Sequence, residues 1–204
     1  MDRRTVSQDE LREGLQPASE GVGPLVQRDY WCVIRRCRFR PRELLSFVRH
    51  RFPRIPPKEL ARFETSSGEG APLEIGDELE IHIPGAGTVG VRVVDVGLNS
   101  FTVATLVGHP IAGRITFGAY PNAHGDVVFH IRSRSRAAST LERLGHLVAG
   151  DPMQTTTWTD FLDRLAHMTG DGVIGSIHED ENEVPEAVER EESLFSPTFT
   201  AEGE

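Results

Sequence analysis

Phe101-Thr102-Val103-Ala104-Thr105-Leu106-Val107-Gly108-His109-Pro110-Ile111-Ala112-Gly113-Arg114-Ile115-Thr116-Phe117 reads as a strand, a tight connection and a second strand. The first six residues are mostly β-branched or aromatic, which suits a pleated, half-buried surface. Gly108-His109-Pro110 breaks the run. A connection that short forces the returning strand, over residues 114–120, to be antiparallel. The same texture continues outward. Upstream, Leu79-Glu80-Ile81-His82-Ile83 alternates apolar and polar with period two. Pro84-Gly85-Ala86-Gly87 turns the chain into a strand over 89–96, and Gly97-Leu98-Asn99 links that strand to Phe101. Downstream, Asn122-Ala123-His124-Gly125 leads into a strand over 127–135.

Helical patterns flank this run. Tyr30-Trp31-Cys32-Val33-Ile34 is β-prone. Pro41 then suits a first helical position, with Leu44, Leu45, Val48 and Phe52 at helical spacing. Residues 56–63 read as a second short helix, and 65–71 as a Gly/Ser-rich loop. Near the end, residues 140–149 form one helical stretch. Asp151-Pro152-Met153-Gln154 opens another with an N-cap, a first-position proline and a Gln three residues on. Trp158, Phe161, Leu162 and Leu165 give that helix one apolar stripe to about Met168. An antiparallel sheet cannot bury its apolar face alone, and the last helix is its cover. The expected fold class is therefore α+β. The element order resembles the helix-grip fold of START-like and pollen-allergen-like proteins, a curved antiparallel sheet wrapped on a long C-terminal helix with room for a cavity between them.

Charge divides the chain. Its 204 residues carry 31 acidic and 22 basic side chains, a formal balance of −9. Ten of the carboxylates fall in residues 178–204 against one base, Arg190, so residues 1–177 are balanced. The expected organisation is a flexible leader over 1–27, one domain over 28–170 and a disordered acidic tail over 171–204. Residues 28–62 form a basic region of eleven cationic side chains. They carry no nucleic-acid motif and no interleaved aromatic stacking platforms, which argues against nucleic acid as a partner. No apolar run approaches the roughly 18 residues of a membrane span, and the start reads as lacking a signal peptide. Cys32 and Cys37, five apart on what reads as one strand, point to opposite faces, so a disulfide is not expected and a reducing cytoplasm is the default.

Thr105-Leu106-Val107-Gly108-His109-Pro110-Ile111-Ala112-Gly113, leading into a strand with Phe117, resembles the signature of a family known as domain of unknown function nineteen-ninety. That family also has a later strand ending in Ser, as in Phe129-His130-Ile131-Arg132-Ser133-Arg134-Ser135, and a helix bearing Gln, like Gln154. The resemblance covers about residues 73–168. It departs at Arg114-Ile115, where the family's pattern carries acidic residues. It implies a fold and brings no activity with it.

Candidate site residues follow from that frame. A cavity between sheet and helix would be lined by Phe101, Val103, Phe117, Phe129, Ile131, Trp158, Phe161 and Leu165, with Ser133, Ser135 and Gln154 as polar contacts. Gly108, His109, Pro110 and Gly113 first serve a tight strand connection, with His109 capping the turn by bonding backbone groups. His109 and Asp95 are the candidates should the cavity be catalytic, in a reaction of cyclase or hydratase type. No Gly-x-Ser-x-Gly nucleophile elbow is present. The eight histidines show no short ligand spacing, so neither a metal nor a cofactor is expected. His82 and His130 fall on the polar phase of their strands and read as solvated. Three functions stand open: holding a small, mainly apolar ligand, catalysis in the same cavity, and regulatory interaction through the basic face and acidic tail.

Overall fold

The period-two alternation becomes the two faces of a single sheet. The structure is a computed structural model that describes residues 7–66, 68, 70–83, 87–139 and 151–185. Its strands are β1 (Val22–Ile34), β2 (Arg62–Thr65), β3 (Glu78–Ile83), β4 (Gly87–Val96), β5 (Ser100–Thr105), β6 (Ile111–Pro121), β7 (Val127–Ala137) and β8 (Val173–Val184). The helices are α1 (Gln8–Arg12), α2 (Pro41–Arg51) and α3 (Asp151–Thr169). The sheet runs β2-β3-β4-β5-β6-β7-β1-β8, and every pairing is antiparallel. Register shifts at Val22/Val26 and Trp31/Val33 of β1 and at Val93/Asp95 of β4 add local bend to a curved sheet.

One face buries the core. Tyr30, Cys32, Val103, Phe117, Phe129 and Ile131 project from it and meet Leu44, Leu45 and Val48 of α2 and Phe161, Leu162 and Leu165 of α3. Burial pushes the Cys32 thiol up to about 12, and both cysteines are free. The helices form where the sequence places them. Pro41 opens α2, and the Glu43 carboxylate accepts the Arg40 N–H at 2.9 Å. Among the described residues no helix is long and apolar enough to cross a membrane.

Three expectations are corrected. Residues 56–63 do not make a helix. The Pro57 carbonyl accepts the N–H groups of Leu60 and Ala61, both at 3.0 Å, which closes a single turn. Pairing with β3 then draws Arg62–Thr65 into a strand and buries Phe63 edge-on against Phe52. The described part of the leader is also not loose. Leu11 and Leu15 are buried, and Leu15 packs with Val94, Ala104 and Leu106 on the outer face of the sheet. Nor does the acidic segment start at 171 as a tail. Residues 173–184 are a strand whose backbone completes the free edge of β1. Its side chains are mostly exposed, so no apolar pattern announced it, and backbone pairing needs none. Glu181 also accepts a 2.7 Å hydrogen bond from the buried Arg28 guanidinium. The helix expected at 140–149 and the acidic stretch after Pro185 lie outside the described residues.

Two stability predictions follow. A chain shortened to end at residue 172 melts at least 5 °C lower than the full chain in a calorimetric scan, because β1 loses one complete set of ladder partners. An unchanged melting temperature contradicts a structural β8. At Gly113 (φ 152°), a Cβ would sit 2.2 Å from the Arg134 carbonyl, whereas at Gly108 (φ 95°) it would meet nothing within 4 Å. Gly113→Ala therefore destabilises by about 3 kcal/mol or more and Gly108→Ala by only about 1 kcal/mol, read by urea denaturation.

Candidate ligand cavity

Alternation along three neighbouring strands sets the chemistry of the core face. β5 presents Phe101, Val103 and Thr105, β6 presents Ile115 and Phe117, and β7 presents Phe129, Ile131, Ser133 and Ser135. Each strand is aromatic or aliphatic toward one end and small or hydroxylated toward the other. At the aromatic end the packing is solid. Phe101 stacks on Phe117 at 4.9 Å, Phe52 meets Phe117 edge-on at 5.0 Å, and Phe161 closes on Phe117 at 5.9 Å. Phe101, Phe129, Ile131, Phe161 and Leu165 are fully buried in this mass and do not border open space.

At the hydroxylated end a cavity of about 70 Å³ remains. Val103, Phe117, Ser133, Ser135, Gln154 and Trp158 line it, as the sequence leads one to expect. Phe52, Phe63, Ile81, Val91, Thr105, Ile111, Arg114 and Ile115 line it as well. The sequence reading missed these because β2, the turn after α2 and the long β6 were not placed against the same space. Asp95 is not on its lining. It pairs with Thr102 beyond the β4 register shift, on the outer face, where burial raises its carboxyl pKa.

His109 does border the cavity, from the β5–β6 loop. Its Nδ1 lies 3.1 Å from both the Ile111 N–H and the Ile111 carbonyl, so the ring bonds that backbone in either tautomer. The loop is held from outside by Gln16. The Gln16 amide donates to the carbonyls of His109 (2.7 Å) and Ile111 (3.0 Å), and its Oε1 accepts the Gly108 N–H at 3.3 Å. Gln16 lies in the segment expected to be a leader, and no local pattern marks it.

The polar side chains of the cavity are unusual in one respect. Three buried side-chain atoms, Ser133 Oγ, Gln154 Oε1 and Trp158 Nε1, have no hydrogen-bond partner among the described residues. All three belong to residues that line this one small space. Such atoms cost free energy unless something fills them, about 1–3 kcal/mol each. Two wider, open grooves of about 640 and 350 Å³ flank α2, bordered by residues such as Phe47, His50, Arg54 and Lys58, and no partnerless buried atom lies on either.

The outer face holds a separate polar network. Asp29 Oδ1 accepts from His130 Nε2 at 2.7 Å and from Arg132 Nε at 2.6 Å, and His130 Nδ1 lies 3.1 Å from the Tyr120 hydroxyl. His130 is thus buried rather than solvated, because Asp29 and Tyr120 converge on it from the neighbouring strands. Burial opposes ionisation of Asp29, but the bonds from His130, Arg132 and Gln27 outweigh it and hold the carboxyl below its ordinary 3.8. Arg134, beside Arg132 and Arg114, is pushed down to about 10 by burial first and by those two charges next. His82 is partly exposed, bonded to Thr88 at 2.7 Å, and its ligand atom lies within 4.8 Å of those of Glu64 and Glu80. That cross-strand trio is the cluster able to hold a cation among the described residues, and linear spacing cannot reveal it. Three members of the basic region are bonded within the fold: Arg28 to Glu181, Arg38 to the Met168 carbonyl and Arg49 to the Leu73 carbonyl.

A family model described as "Domain of unknown function (DUF1990)" matches residues 54–163, over half of the chain. The chain belongs to that family. The DUF1990 match spans β2 to the middle of α3 and so includes the cavity's main walls. No curated protein matches in sequence. Solved structures that match share the helix-grip fold. A truncated norcoclaurine synthase from Thalictrum flavum is 12% identical, with 72% of this chain and 95% of that one covered at a TM-score of 0.52. Norcoclaurine synthase from the same organism, in complex with dopamine and hydroxybenzaldehyde, is 10% identical over 82% and 94%, also at 0.52. A hypothetical protein from Helicobacter pylori is 7% identical over 83% and 97%, at 0.51. At these identities the likeness is one of fold alone.

The outer network carries its own prediction. The stability that Asp29 contributes is present above pH about 3.8 and is lost as pH falls through its depressed folded value. Asp29→Asn lowers stability at pH 7 by about 2–3 kcal/mol, since Arg132 and His130 lose a charged acceptor in a buried site. Its acid denaturation profile is correspondingly flatter below that pH. Equal stability at pH 7 refutes this role.

Proposed function

We propose that the chain holds a small, mainly apolar ligand in the cavity between the sheet and α3. The observation that carries the proposal is that three buried atoms without partners among the described residues, Ser133 Oγ, Gln154 Oε1 and Trp158 Nε1, belong to residues lining one small, mainly apolar space. Such a lining, apolar walls with a few convergent polar groups, is the usual composition of a small-molecule site. The norcoclaurine synthase of similar fold that carries dopamine and hydroxybenzaldehyde is consistent with small ligands in this architecture. At about 70 Å³ the space is well below the roughly 300 Å³ of a drug-sized pocket, so the ligand is small, or only its end enters.

The catalytic alternative narrows to His109, the one candidate acid or base on the lining, since Asp95 faces the other way. The binding reading needs no reacting group and rests on more of the lining. Native mass spectrometry of full-length protein from its own host tests it. A small bound mass is expected, and Val103→Phe, which fills the space at a cost of about 1–3 kcal/mol, abolishes the bound mass while the chain stays folded. Retention of the same ligand by folded Val103→Phe overturns the assignment of this cavity.

A further inference from the structure

We infer that the ligand presents a neutral hydroxyl group, of alcohol or phenol type, to Trp158, Ser133 and Gln154, with its apolar remainder against Val103, Ile115 and Phe117. The inference rests on the binding function proposed above and goes further by naming the chemistry at the polar end.

The donor and acceptor inventory decides the class. The Trp158 indole N–H only donates, so the facing group must accept. Gln154 Oε1 only accepts, so the facing group must also donate. Ser133 does either. A hydroxyl is the smallest group that accepts one hydrogen bond and donates another at once. Turning the Gln154 amide over leaves the Trp158 N–H still in need of an acceptor, and a hydroxyl still serves. An ammonium only donates and leaves the indole N–H unmet. An ionised carboxylate only accepts and leaves Gln154 Oε1 facing a negative charge. A hydrocarbon fits the walls and satisfies none of the three atoms. Size agrees with the class, because a cavity of about 70 Å³ takes a hydroxyl and a few carbons before the ligand must extend outward or displace a side chain.

Position agrees as well. Trp158 is held edge-on to Phe117 at 5.5 Å and Phe161 at 6.0 Å, which fixes its indole plane. Ser133 is 2% exposed on β7 and is aligned with Ile115 across the ladder. The two groups therefore come from elements that the core locks in place, as a preorganised polar clamp requires.

Isosteric pairs test the inference on the full-length protein. Phenol is compared with toluene, and isobutanol with 2-methylbutane, by titration against the Trp158 indole N–H resonance and the methyl resonances of Val103 and Ile115. The resonance of Trp158 is assigned with Trp158→Phe, which keeps the aromatic bulk and removes the donor. At least one hydroxylated probe is expected to bind about tenfold more tightly than its hydrocarbon isostere, as leaving buried polar groups unmet should cost. Trp158→Phe and Ser133→Ala each shrink that ratio to within about threefold, while hydrocarbon affinity holds. Equal affinity within both pairs overturns the hydroxyl inference but leaves the cavity standing, with ordered water as the partner of these atoms. If no probe moves any of the three resonances, the binding function itself fails.

Discussion

The structure depends on one packing constraint: a single curved sheet must bury its inner face, which among the described residues α2 and α3 cover. Phe117 is the hub of the solution. Its ring touches Phe52, Phe101, Trp158 and Phe161, drawn from the turn after α2, from β5 and from α3. Aromatic pairs of this kind contribute about 0.5–1.5 kcal/mol each beyond the area they bury. They fill one end of the space completely. What stays open is the other end, where β7 turns from Phe129 and Ile131 to Ser133 and Ser135 and where α3 begins. The cavity is thus the remainder left by the aromatic packing, and its polar character comes from the phase of one strand.

The second constraint acts from outside the sheet. The connection into β6 uses Gly108 and Gly113, both in backbone conformations that side-chain-bearing residues disfavour, and is bonded within itself by His109. Gln16 adds bonds from outside, and the Thr105 hydroxyl donates to the Gln16 carbonyl at 2.9 Å. The segment before β1 is therefore part of the machinery that fixes the cavity's rim, where His109 sits. Local composition makes it look detachable because its apolar anchors are two leucines, and its other long-range bonds run through Gln16 and backbone carbonyls such as those of Gly14 and Glu13.

Much of this was legible in the sequence, and the reasons for the rest are physical. Strands β3 to β7 and helix α2 announce themselves through period and punctuation, and the Trp158–Leu165 stripe announces α3. Phe129 and Ser133 share a face because period two allows nothing else. β8 was invisible because it pairs mainly by backbone and its side chains are mostly exposed, so its acidic residues read as a tail. The balance of −9 accordingly divides between a strand bonded to Arg28 and the residues beyond Pro185. His130 and Asp95 were misjudged because a strand's polar phase says which face a residue is on and nothing about what covers that face. How much of the inner space aromatic rings would fill was likewise beyond a one-dimensional pattern.

The central claim is that the space between Ser133, Gln154 and Trp158 is a binding site rather than a packing remnant. The most direct measurement is an atomic-resolution crystal structure of the protein purified from its own host, read at that cavity. The account predicts density for an organic molecule, with one oxygen within hydrogen-bond distance of Trp158 Nε1 and Ser133 Oγ. Rotated or collapsed side chains that bond one another and leave no space there would contradict it.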